Sequence, residues 1–113
     1  MAGQPPDFER SPLLVFWETT KACPLSCRHC RASAIPHPLL DELTHEEGVS
    51  LIDGISAFGQ PRPVLIMTGG DCMMRQDLVG LVSEGRSRQL NMALSPAVSE
   101  LLTAEKMLEL KSL

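Results

Sequence analysis

Three short apolar runs, each closed by a turn and each followed by a segment of helical periodicity, constrain what this 113-residue chain can fold into. The first, Leu13-Leu14-Val15-Phe16-Trp17, is continuous rather than alternating, a pattern that suits a parallel strand covered on both faces. The second, Val64-Leu65-Ile66-Met67, closes in Thr68-Gly69-Gly70-Asp71, and the third, Met92-Ala93-Leu94, closes in Ser95-Pro96. Between the first two, Thr44-His45-Glu46-Glu47 has the form of a capping box, so Thr44 is expected to start a helix. Its apolar stripe is Val49, Leu51, Ile52, Ile55 and Phe58, with Gly59 placed to end it in a left-handed conformation. Leu78, Leu81 and Val82 recur behind Asp77, an expected N-cap, and mark a second helix running to about Gly85 or Leu90. Thr103 is expected to cap a third, with Met107, Leu108 and Leu110 on its buried side. The order is βαβαβα, and right-handed crossovers turn it into an α/β fold, a three-stranded parallel sheet with helices against it.

Three of the four cysteines, Cys23, Cys27 and Cys30, fall in the loop after the first run at CxxxCxxC spacing. Thiolates grouped so closely can curl around one metal centre, and three of them leave a tetrahedral site open. Cys72, His29 or His37 is available as a fourth ligand for a closed zinc site; Cys72 is otherwise read as a small buried residue. Loops that follow the carboxyl ends of parallel strands gather on one side of the sheet, where ligands bind. The cysteine loop, Gly69-Gly70-Asp71 and Ser95 are therefore expected to share one edge. Glu18 and Thr20 end the first strand there, and a carboxylate beside the loop would seek a cation such as Lys21, Arg28 or Arg31.

A net charge of -4 and a pI near 5.3 argue against nucleic acid or an anionic membrane as the main partner. Residues 1 to 12 carry Pro5, Pro6 and Pro12 among polar residues and are expected to form a flexible arm, without the apolar core of a signal peptide. No run of about 18 apolar residues suggests a membrane span. A cytoplasmic setting is expected, because a reducing compartment protects grouped thiols from disulfide formation.

The stretch from Phe16 to Ala34, with Cys23-Pro24-Leu25-Ser26-Cys27-Arg28-His29-Cys30 at its centre, resembles the cluster loop of the radical S-adenosylmethionine (radical SAM) enzymes. It looks most like the branch that carries a SPASM-type C-terminal extension and modifies ribosomal peptides or acts in haem-related biosynthesis. The resemblance covers residues 13 to about 110. It implies that Cys23, Cys27 and Cys30 hold a 4Fe-4S cluster whose open iron binds S-adenosylmethionine, and that reduction yields a 5'-deoxyadenosyl radical that abstracts hydrogen from substrate. It implies that Gly69, Gly70 and Asp71 stand where the family's GGE motif binds the amino group. Two glycines admit close backbone approach, and carbonyls with a carboxylate suit an ammonium. This chain has Asp where Glu is commoner and Cys72 where Pro often follows. His29 is placed by the resemblance beside the adenine, and Ser95 near the methionyl moiety.

The fold implied is a partial (β/α)6 TIM-like barrel, of which residues 13–113 would form the N-terminal half, since a full (β/α)8 barrel needs about 250 residues. The partners implied are a peptide or tetrapyrrole-like substrate and an electron donor such as flavodoxin or ferredoxin, with neither nucleic acid nor membrane. The competing expectation is a small electron-transfer or zinc-binding module closed by Cys72.

Overall fold

The computed structural model describes residues 8–23, 35, 38–39, 41–59, 61–97 and 100–113. Three parallel strands, β1 (Leu14–Glu18), β2 (Val64–Thr68) and β3 (Asn91–Leu94), form one sheet in the order β1-β2-β3. Helix α1 (His45–Ser56) lies between the first two strands in sequence and α2 (Leu78–Ser87) between the last two, and α3 (Ala104–Lys111) follows β3. A single turn of 3-10 helix, Cys72–Met74, separates β2 from α2.

The register pairs Val15 with Leu65 and Trp17 with Met67, and then Leu65 with Met92 and Met67 with Leu94. Alternation along each strand sends these residues to one face of the sheet. There Ile52 and Ile55 of α1 and Leu78, Leu81 and Val82 of α2 join Trp17, Leu65, Met67, Cys72 and Leu90 in one buried core. Gly48 and Gly85 let the helices approach closely. A Cβ on Gly48 would lie 2.8 Å from the Trp17 ring, and one on Gly85 would collide with the Met92 sulfur.

The opposite face carries Leu14, Phe16 and Glu18 of β1, and Phe16 is 64% exposed. The expectation that the first run is covered on both faces is thus corrected. Its apolar residues 15 and 17 meet helices, whereas 14 and 16 meet none among the described elements.

Local chemistry explains the helix limits. Thr44 caps α1 as expected, its hydroxyl accepting the Glu47 N–H at 3.2 Å while the Glu47 carboxylate accepts the Thr44 N–H at 2.9 Å. The helix stops at Ser56, so Phe58 leaves the stripe and is half exposed, and Gly59 adopts φ +81° beyond the end. Asp77 occupies the N-cap position of α2 but makes no capping bond, because Arg75 and His45 hold its carboxylate. At the other end, Gln89 takes φ +63° without being glycine, and the N–H groups of Gln89 and Leu90 bond the carbonyls of Arg86 and Gly85 at 2.9 and 3.0 Å. That is a Schellman closure, and it tucks Leu90 into the core.

Thr103 caps α3, its hydroxyl accepting the Lys106 N–H at 3.1 Å. No α3 residue is fully buried, which corrects the expected stripe. Leu110 packs against the core, Met107 is half exposed and Leu108 is 68% exposed. A step of two residues turns a helix by about 200°, so Leu108 cannot share the face of Leu110. Between α3, α2 and β3 lies a cavity of about 510 Å³ lined by Val82, Met92, Leu94, Met107 and Leu110 among others.

Candidate functional site

The three strand ends meet at the carboxyl edge of the sheet, and the chain segments beyond them are bonded to one another. The β1–β2 ladder continues past the strands. The Thr19 N–H donates to Thr68 O at 2.9 Å, the Gly70 N–H to Thr20 O at 2.7 Å and the Asp71 N–H to Ala22 O at 2.7 Å. This contact explains the glycines. Gly69 has φ +143°, and a Cβ there would strike the Thr20 carbonyl oxygen; a Cβ on Gly70 would lie 2.6 Å from the Lys21 carbonyl oxygen. Only a residue without a side chain fits either place. Among the described residues no bond to the carbonyl of Gly69 or Gly70 is seen, so both oxygens keep acceptor capacity at the edge.

Cys23 follows directly on this zipped segment and is buried. Its N–H donates to Ile35 O at 2.8 Å, and the Ile35 N–H donates to Lys21 O at 2.9 Å, a parallel bridge between Ala22 and Ile35. The segment holding Cys27 and Cys30 therefore leaves from and returns to a pinned base. Cys27, Cys30 and His29 themselves, with Arg28, Arg31 and His37, lie outside the described residues. Among the described residues no group of three His, Cys, Asp or Glu is placed to hold a metal ion.

Asp71 is fully buried. Its Oδ1 accepts the Met73 N–H at 3.0 Å, capping the 3-10 turn, and the Ala97 N–H at 3.4 Å, so the carboxylate also ties the β2 loop to the loop after β3. Ser95 is exposed and reaches the same edge through its backbone, donating its N–H to Met67 O at 2.9 Å. The structure thus brings Cys23, Gly69, Gly70 and Asp71 into one hydrogen-bonded patch, with Ser95 at its border.

Cys72 sits in the apolar core. Burial pushes its thiol up to about 11, aided by the Asp71 charge and only partly offset by backbone N–H groups of Cys72, Ser95 and Met73. Burial of this kind disfavours the thiolate form.

Two residues that the sequence did not single out organise this edge. Arg75, 9% exposed, donates through Nη1 to Thr19 O at 3.0 Å, bonds Asp77 twice and lies 5.5 Å from the centre of the Trp17 ring. Asp77 in turn contacts His45 Nδ1 at 3.0 Å. Hydrogen bonds from Arg75, only partly opposed by burial, hold the Asp77 carboxyl below its ordinary range, with His45 and the Arg75 charge adding to the effect. Glu42 is the second. Its Oε2 accepts from the Thr20 hydroxyl at 2.7 Å and from the N–H groups of Lys21 and Leu39 at 3.0 and 3.1 Å. The carboxylate that engages the end of the β1 segment is Glu42, while Glu18 is exposed. No local pattern marks their place at this edge, because the bonds that set it, Arg75 to Thr19 and Glu42 to Thr20 and Lys21, span 56, 22 and 21 positions.

This parallel α/β segment, which carries the cysteine loop after β1 and the glycine pair after β2, is similar in sequence to known proteins. The chain is 43% identical over 83 residues to an AdoMet-dependent heme synthase of Oleidesulfovibrio alaskensis, covering 74% of this chain and 21% of that protein. It is 37% identical over 87 residues to an Fe-coproporphyrin III synthase of Methanosarcina barkeri, covering 77% of this chain and 21% of that protein. It is 32% identical over 82 residues to a pre-heme d1 synthase of Dinoroseobacter shibae, covering 73% of this chain and 20% of that protein. The chain belongs to the radical SAM superfamily, in the branch of these haem-related relatives. It spans about a fifth of the length of these relatives. No family model matches it, and no solved structure does. Among the described residues no helix is long and apolar enough to cross a membrane.

Proposed function

We propose that this chain supplies the cofactor-binding edge of a radical SAM enzyme of tetrapyrrole metabolism, with Cys23, Cys27 and Cys30 as ligands of a 4Fe-4S cluster. The observation that carries the reading is the backbone zipper that sets Gly69, Gly70 and Asp71 against the residues leading into Cys23. It puts two carbonyls, unengaged among the described residues, beside the root of the cysteine loop, an acceptor set suited to an ammonium group. The cluster and S-adenosylmethionine, when bound, would supply the reductive cleavage that generates a 5'-deoxyadenosyl radical.

The chain's own contribution is placement. The carbonyls of Gly69 and Gly70 would hold the S-adenosylmethionine amino group, and Asp71, by capping the 3-10 turn, would keep those carbonyls in line rather than bind directly. His29 would stack on the adenine, and Ser95 would border the methionyl end. Residues 13–113 would form the first half of a partial (β/α)6 barrel, preceded by an arm at 1–12. The open sheet face bearing Leu14 and Phe16 would then turn toward the barrel interior. The substrate class that fits the relatives' names is a tetrapyrrole. Reducing equivalents would come from a flavodoxin or ferredoxin in the cytoplasm.

The test is anaerobic reconstitution followed by iron and sulfide analysis and electron paramagnetic resonance of the reduced protein, with and without S-adenosylmethionine. About four irons per chain and a signal that shifts with the ligand are expected. Bound zinc, or a cluster indifferent to S-adenosylmethionine, would overturn the proposal.

A further inference from the structure

The cysteine loop is tied at its feet by one side chain. The chain leaves the sheet through Thr20, Lys21 and Ala22 into Cys23, returns at Ile35, and passes Leu39 before reaching Glu42. One oxygen, Glu42 Oε2, accepts from both ends of this excursion, from the Thr20 hydroxyl and Lys21 N–H on the outgoing side and from the Leu39 N–H on the return. Thr20 relays the hold. While its hydroxyl donates a hydrogen bond to Glu42, its Oγ1 accepts the Ala22 N–H at 3.0 Å, one residue before Cys23. The Ala22–Ile35 bridge then closes the base from within.

The residue type matters. An ionised carboxylate makes charge-assisted bonds with all three donors at once, and such bonds are stronger than neutral ones. Burial raises the Glu42 carboxyl, but the bonds from Thr20, Lys21 and Leu39 and the nearby Arg75 charge together bring it below its ordinary value. Thr20 is almost wholly buried, so without an acceptor its hydroxyl would have little water to turn to. Its hydrogen bonds go to Thr20, Lys21 and Leu39, so it acts on the loop through the Thr20 hydroxyl and the backbone.

We infer that Glu42 is a positioning residue for the cysteine loop, a clasp that sets the distance between its two feet before any metal arrives. The inference rests on reading Cys23, Cys27 and Cys30 as cluster ligands, but its structural half can be tested alone. Wild type, Glu42→Ala and Glu42→Gln are compared as metal-free proteins by amide hydrogen exchange, and after reconstitution by the rate of iron loss to a chelator.

In Glu42→Ala the Lys21 and Ala22 amides are expected to exchange about tenfold faster while those of Leu65 and Leu81 keep their wild-type rates, and iron is expected to be lost at least about fivefold faster. Glu42→Gln keeps an acceptor oxygen and should fall between. Wild-type exchange at Lys21 and Ala22 in the alanine variant would overturn the clasp. Wild-type iron loss despite faster exchange would overturn its role toward the cluster. If the wild-type chain assembles no cluster, the proposed function fails, and the exchange experiment still decides the clasp.

Discussion

The two faces of the sheet are built from the same three strands and both carry large apolar side chains, yet only one of them is covered. On one face Trp17, Leu65 and Met67 are sealed beneath α1 and α2, with glycines at 48 and 85 letting the helices close in. On the other, Leu14 and Phe16 stand open. Adjacent residues of one strand, Phe16 at 64% exposed and Trp17 at 8%, belong to different environments. Hydrophobicity alone thus does not fix stability; a covering element does. Trp17→Ala should show the largest effect, a loss of about 3–5 kcal/mol, because it empties a space enclosed by both helices and removes the ring beneath Arg75. Urea unfolding of the variant measures it.

Gly48→Ala should come next. It adds one methyl group where the Trp17 ring and Leu81 already stand 2.8 and 3.0 Å from the new carbon, so a loss of about 1–3 kcal/mol is expected despite the better helix propensity of alanine. A neutral or stabilising result would mean that the covered face has slack and that the contrast between the faces is smaller than drawn.

The seam between α1 and α2 provides a pH test. Asp77 is held below its ordinary carboxyl value of 3.8 by Arg75 and His45. Because the folded value is the lower one, the linked stability is fully present above 3.8 and is lost as pH falls through the folded value. Asp77→Asn should flatten the dependence of the unfolding midpoint on pH below about 4, and its effect at neutral pH should be smaller than that of Gly48→Ala. An unchanged acid slope would show that the seam carries no linked charge.

Much of this architecture was legible because the signals are local. Apolar runs, the Thr44-Glu47 capping box and Thr103 place three strands and two helix starts within a residue or so of where they lie. The convergence of Cys23, Gly69, Gly70, Asp71 and Ser95 follows from parallel topology, which sends every post-strand loop to one edge. What escaped depends on distant partners. The clasp at Glu42 and the Arg75 bond to Thr19 join residues 22 and 56 positions apart. Asp77 reads as a helix cap until Arg75 and His45 are seen to take its carboxylate. The end of α2 at Ser87 falls within the expected bounds of Gly85 to Leu90, but its closure was not legible, since Gln89 fills the left-handed position where glycine would be expected.

The smallest effect should come from the neighbour of the most sensitive residue. Phe16→Thr introduces a β-branched residue suited to a strand and removes a ring that rests on no helix among the described elements. In the 113-residue chain, stability should change by no more than about 0.5 kcal/mol, because little apolar area leaves or enters water on unfolding. The same change should lower any tendency of the chain to self-associate, since an exposed aromatic on an edge strand is an open contact. Sedimentation alongside urea unfolding separates the two effects. A destabilisation approaching that of Trp17→Ala would mean that the open face is covered in solution, and the contrast between the faces would then belong to the isolated fold rather than to the protein at work.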